Sequence, residues 1–114
     1  MTALDPKLAA WGMLLLAGCF EVGFTTAMKF MNKGNWIAEV IFVVCIIISF
    51  SLLSEATKTI PIGIGYAVWT GIGATGTLLV ATLFFKEPIA PAQIFCVLLI
   101  VAAVAGLKLT SQTA

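Results

Sequence analysis

Glu21 is the single charged residue in the apolar run Leu8–Met28, and it sits near the middle of that run. If the run crosses a membrane as a helix, the carboxyl lies close to the bilayer centre. A charge there costs about 2.5–3.5 kcal/mol on insertion scales, which makes such an acid a binding or coupling residue by default. A proton and a cation compete for one carboxylate, because each favours a different protonation state. Binding one releases the other, and that exchange is itself a coupling mechanism. The plainer alternative is an acid paired with a lysine of a neighbouring helix, but no other apolar run holds an internal lysine. Helical spacing surrounds Glu21 with Ala17, Gly18, Phe24, Thr25 and Met28. Gly18 and Thr25 are small enough to admit another backbone or a ligand.

A second group lies in the third apolar run, where Tyr66, Trp69, Gly73 and Gly76 share one helical face. Five glycines between Gly63 and Gly76 weaken a helix and allow it to bend. Tyr66 and Trp69 are too deep for an interfacial aromatic belt. Their expected uses are stacking against a cation and hydrogen bonding to Glu21. An ordinary packing face with glycine-mediated contact is the simpler alternative. Gly63-x-Gly65 and Gly71-x-Gly73 are not phosphate loops, since no strand precedes them and no polar turn contains them. Ser49, with Ser51, gives the second run a polar spot. Ala102 and Gly106, four apart in the fourth run, suit close helix–helix association and are assigned to dimer contact. Glu39, three residues into its run, is expected at headgroup depth as a solvated helix-end acid.

These residues must be positioned by membrane helices. The chain has 114 residues, of which 61% are hydrophobic and 10% charged, with mean hydropathy +1.15. A soluble domain this short cannot bury so much apolar surface. Four apolar runs follow one another: Leu8–Met28, Trp36–Leu53, Ile60–Phe85 and Ile89–Leu107. Each is long enough for a hydrocarbon core of about 30 Å, and none shows the alternation of a transmembrane strand. The expectation is an all-α membrane protein. It forms a single four-helix transmembrane domain over residues 1–114, with helices at approximately 8–29, 36–54, 60–85 and 88–108. Pro88 is expected in the first turn of the last helix. The first run is kept as a span, because no small-residue cleavage site ends it as a signal peptide would.

Composition also excludes several functions. Net charge is +1, with six lysines, no arginine and no histidine, so no basic cluster marks a nucleic-acid surface. Proton handling must then fall to a carboxylate. Cys19, Cys45 and Cys96 lack metal or redox spacing and read as small apolar fillers. No metal, cofactor or enzymatic constellation is expected.

The lysines bear on orientation. With four spans, Lys7, Lys58 and Lys108 fall on one side and Lys29, Lys33 and Lys86 on the other. The positive-inside rule acts on lysine and arginine asymmetry, and three lysines facing three leave none. Insertion both ways up is the expected result. No internal repeat is visible, whereas secondary transporters commonly form a midplane site between inverted halves. An oppositely oriented copy would supply the missing half.

The chain resembles the small multidrug resistance family of proton-coupled cation exporters over nearly its full length. The resemblance rests on Gly18-x-x-Glu21, Pro61-x-Gly-x-x-Tyr-Ala-x-Trp69, Gly71-x-Gly73, Lys86-Glu87-Pro88 and Gly106-Leu-Lys108. The third helix and the Lys-Glu-Pro loop are more similar to the guanidinium-exporter subtype than to the quaternary-ammonium subtype. The resemblance implies an antiparallel homodimer in the bacterial inner membrane, with two copies of Glu21 in one midplane site and alternating access. It further implies that Gly18, Phe24, Ser49, Tyr66 and Trp69 line the substrate pocket. The guanidinium subtype usually has tryptophan three residues after the glutamate, and this chain has Phe24. Thr25-Thr26-x-Met28-Lys29 is more similar to the drug-exporting branch. Guanidinium-type cations are therefore the expected substrate. Export of quaternary ammonium or aromatic cations is the alternative, as is a role as one subunit of a paired heterodimer. A non-transporting structural subunit is a further alternative, but it gives no reason for a deep unpaired acid.

Overall fold

The structure, a computed structural model, describes residues 6–31 and 34–110. Lys33 lies outside the described residues. The described chain is all-helical: α1 Pro6–Met31, α2 Trp36–Ala56, α3 Ile62–Leu83 and α4 Pro91–Thr110. All four are long and apolar enough to cross a membrane. Their surfaces show why. Leu15, Ile47, Leu79, Phe95 and Leu98 are all exposed, as expected where the surrounding solvent is itself hydrocarbon.

Local chemistry sets the helix ends. Gly34, at φ +69°, supplies the left-handed turn after α1 that a residue with a Cβ rarely adopts. Asn35 then caps α2, its side-chain oxygen accepting from the Ile37 and Ala38 amides at 3.1 and 3.3 Å. Glu39 falls in the first turn of α2 and is exposed. Pro61, extended at φ −53° and ψ 138°, is the N-cap of α3, so Ile60 lies outside that helix.

The start of α4 departs from expectation. Pro91, not Pro88, is the first helical residue. The reason is a reciprocal cap: the Gln93 side-chain oxygen reaches back to accept from the Ala90 amide at 2.9 Å, with Pro91 at the position where a missing N–H is harmless. Lys86 turns the preceding loop at φ +59°.

α1 packs against both α2 and α3, while α4 packs on α3. A small core of Ala10, Leu14, Ala17, Ala56, Ile60, Val68 and Trp69 forms where the first half of α1 meets the end of α2 and the start of α3. No residue of α4 is buried. Cys19, Cys45 and Cys96 are free thiols, with Cys19 and Cys96 facing outward.

Candidate functional site

Glu21 lies on the side of α1 that faces α3. The contact is unusually intimate: a Cβ added at Gly73 would overlap the Glu21 carboxyl group. Glycine at that position is what lets the acid lie against the α3 backbone. Neighbouring residues continue the seam, with Ile72 seated on Gly18 and Val22 seated on Gly76. Both helices run in the same direction, so contacts 18 to 72, 21 to 73 and 22 to 76 ascend together. Glu21 Oε1 is buried and has no hydrogen-bond partner. Lys29 and Lys58 pair with Glu87 and Glu55 instead. A buried carboxyl oxygen left without a partner is destabilising by about 1–3 kcal/mol or more, unless something binds there.

Ser49 and Trp69 form a buried relay beside this seat. The Trp69 indole N–H donates to Ser49 Oγ at 3.0 Å, and the Ser49 hydroxyl donates to the Ala17 carbonyl at 2.7 Å. Ser49 is fully buried and Trp69 nearly so. Three helices are thereby tied together. Ala17 precedes Glu21 by one turn, and its carbonyl is the helical acceptor for the Glu21 amide. The relay therefore grips the α1 backbone at the level of the acid.

This arrangement corrects one expectation. Trp69 does not hydrogen-bond Glu21, because its one donor is already spent on Ser49. Ser49 likewise directs its only proton to a backbone carbonyl rather than to the carboxylate. Trp69 presents its ring instead, against Phe50 at 5.1 Å and Tyr66 at 5.7 Å between centroids. Tyr66 is 57% exposed and makes no hydrogen bond to Glu21. Phe24 packs edge-on against Phe42 of α2, with centroids 5.9 Å apart. Gly18 meets the Ile72 side chain, not open space. A methyl group added at Gly106 would meet nothing within 4 Å, and Ala102 is exposed. Glu21, Gly18, Ser49 and Trp69 thus gather at the α1–α2–α3 junction; Tyr66 lies at its edge, and Ala102 and Gly106 stand apart on α4.

Two contributors are not visible as site residues in the sequence. Gly73 reads there as a point of helix flexibility, whereas its use is to make room for Glu21. Thr77 carries no signal at all, yet its hydroxyl lies 2.6 Å from that of Thr25. The spacing of Thr25, one turn beyond Glu21, is the usable hint. Among the described residues no group of histidine, cysteine or acidic side chains could hold a metal ion.

Comparison with known proteins identifies the family. The profile of the family described as Small Multidrug Resistance protein matches residues 9–100. The chain is 39% identical over 104 residues to a guanidinium exporter of Salmonella typhimurium (strain LT2), covering 90% of this chain and 99% of that protein. It is 38% identical over 104 residues to a guanidinium exporter of Citrobacter freundii, with the same coverage. It is 41% identical over 102 residues to a probable guanidinium efflux system subunit of Bacillus subtilis (strain 168), covering 89% of this chain and 97% of that protein. With four membrane-span-capable helices and a family match across most of its length, the chain belongs to the small multidrug resistance family, a family of transporters and not of enzymes.

Proposed function

We propose that this protein exports guanidinium-type cations across the inner membrane in exchange for protons, as an antiparallel dimer working by alternating access. The observation that carries the reading is the Glu21 carboxyl, buried against Gly73 with an oxygen that no protein group satisfies. The names of the similar proteins point to guanidinium as the cation. Guanidinium is planar and carries only donors, so it requires acceptors and flat walls. Two copies of Glu21 supply the acceptors. The exposed Tyr66 ring supplies a wall, and the nearly buried Trp69, its N–H engaged by Ser49, packs behind it. A proton arriving at the same carboxyl displaces the cation, which gives exchange. A partner copy is supported by the exposed Tyr66 ring and by α4, none of whose residues is fully buried within one protomer.

The test is uptake in liposomes holding this chain alone, with guanidinium and with a bulky aromatic cation, under an imposed pH gradient. Guanidinium uptake that dissipates the gradient is expected. Transport of the bulky cation alone would move the chain to the drug-exporting branch.

One observation favours a second reading. The Bacillus subtilis relative is named as a subunit of an efflux system, so this chain can be read as half of a heterodimer. Transport by the purified single chain separates the two.

A further inference from the structure

We infer that Thr25 and Thr77 form a positioning pair that sets the height and rotation of α3 against α1 at Glu21; this rests on the reading of Glu21 as the exchange site. Along the α1–α3 seam around the acid, side chains seat on glycines: Ile72 on Gly18, Glu21 on Gly73 and Val22 on Gly76. These contacts are non-directional. The first directed bond between the two helices past the acid is the one between Thr25 and Thr77, at 2.6 Å.

Either hydroxyl of this pair could donate to the other, and the acceptors around Thr25 favour one arrangement. Thr25 Oγ1 lies 3.0 Å from the carbonyl of Glu21 and 3.0 Å from that of Val22. A carbonyl cannot donate, so the single Thr25 proton goes to the α1 backbone. In that arrangement Thr77 donates to Thr25. The result is a relay from α3, through Thr25, to the backbone carbonyl of Glu21 itself. Its register matters as much as its direction. Thr25 follows Glu21 by four residues and Thr77 follows Gly73 by four, so Glu21–Gly73 and Thr25–Thr77 are successive rungs about 6 Å apart on parallel helices. Fixing the second rung fixes the first, and the space at Gly73 stays opposite the carboxyl.

The Ser49 relay and the Thr77 relay hold opposite ends of the same turn. One grips the Ala17 carbonyl and the other the Glu21 carbonyl. Thr77 acts through Thr25 and through the backbone, and it does not touch a bound cation.

Thr77→Val keeps the shape and removes the donor, while Thr77→Ser keeps the donor. In liposomes, Thr77→Val should raise the KM for guanidinium about 3- to 10-fold, the range set by one hydrogen bond, with maximal rate within about twofold of the unmodified protein. Thr77→Ser should restore the KM. Thr25→Val with Thr77→Val should be no worse than Thr25→Val alone, since the hydroxyls act as one unit. The second readout needs no substrate: the 13C-carboxyl titration midpoint of Glu21 should move by about half a pH unit or more in Thr77→Val and return in Thr77→Ser. An unchanged KM and midpoint in Thr77→Val would overturn the proposal, as would a serine variant that behaves like valine. If the unmodified protein carries no guanidinium, the substrate reading fails by itself, and the midpoint alone decides the pair.

Discussion

Glu21 and Gly73 function as a single unit, an acid and the absence of a side chain facing it. Removing the acid's charge while keeping its shape separates assembly from exchange. Glu21→Gln should insert and assemble as the unmodified protein does and lose proton-coupled uptake, since an amide cannot exchange a proton. Coupled uptake at full rate in the purified variant would end the proposed mechanism. Glu39→Gln and Glu55→Gln should keep most activity, as both side chains are exposed at helix ends. Gly73→Ala tests the other half of the unit. Its methyl must displace the carboxyl or the helix, at about 1–3 kcal/mol, so cation affinity should fall by roughly tenfold. Gly63→Ala, with nothing within 4 Å, should be silent in the same binding assay. Phe24 belongs to this scale too. Its ring is held edge-on to Phe42 and has no donor for the carboxylate. A less constrained acid tolerates more ligand shapes, because selectivity depends on polar groups left unpaired by the wrong ligand. Phe24→Trp should therefore lower phenylguanidinium uptake relative to guanidinium uptake, and an unchanged ratio would remove Phe24 from selectivity.

At the scale of elements, the helices are held by few directed bonds, and each one matters accordingly. The water-exposed Lys29–Glu87 pair at 3.7 Å and the Lys58–Glu55 pair at 3.1 Å contribute little. Buried bonds count for more. Ser49→Ala removes the acceptor of the Trp69 indole and the donor to Ala17 together. It should destabilise the detergent-solubilised protein by about 1–3 kcal/mol, the cost of leaving a buried donor unsatisfied. Combined with Trp69→Phe it should be less than additive by thermal denaturation, because both substitutions break the same relay. Strict additivity would mean that the Trp69–Ser49 bond carries no energy. The helices themselves are legible in the sequence from apolar length. Their ends are less so: the sequence places Pro88 in the first turn of the last helix, whereas the helix begins at Pro91, where the Gln93 side chain reaches Ala90.

For the whole molecule, orientation is the open variable. Lys29 and Lys86 flank the same end of the bundle, the end where Lys29 pairs with Glu87. Lys58 caps the opposite end. Reporters fused at the C-terminus should give signal on both sides of the membrane. Two lysines added beside Lys86 should shift the population strongly toward one orientation, by the positive-inside rule. A fixed orientation in the unmodified chain would favour a partner of opposite orientation over an antiparallel homodimer.

The sequence alone determined what depends on composition and period. Apolar runs of sufficient length specify membrane helices, since no other open structure satisfies its backbone in lipid. Position within a run places Glu21 deep, and the motif set from Gly18 to Lys108 carries the family. Helical period also tells which residues share a face. It does not tell which neighbour that face meets, or at what height. Only the tertiary structure decided that Gly73 stands opposite Glu21, that the Trp69 N–H goes to Ser49, and that Thr77 reaches Thr25. The physical reason is that helix register in a membrane is set by close packing of small residues and a few hydrogen bonds. Those contacts join positions dozens of residues apart, and the pattern along either helix does not encode them.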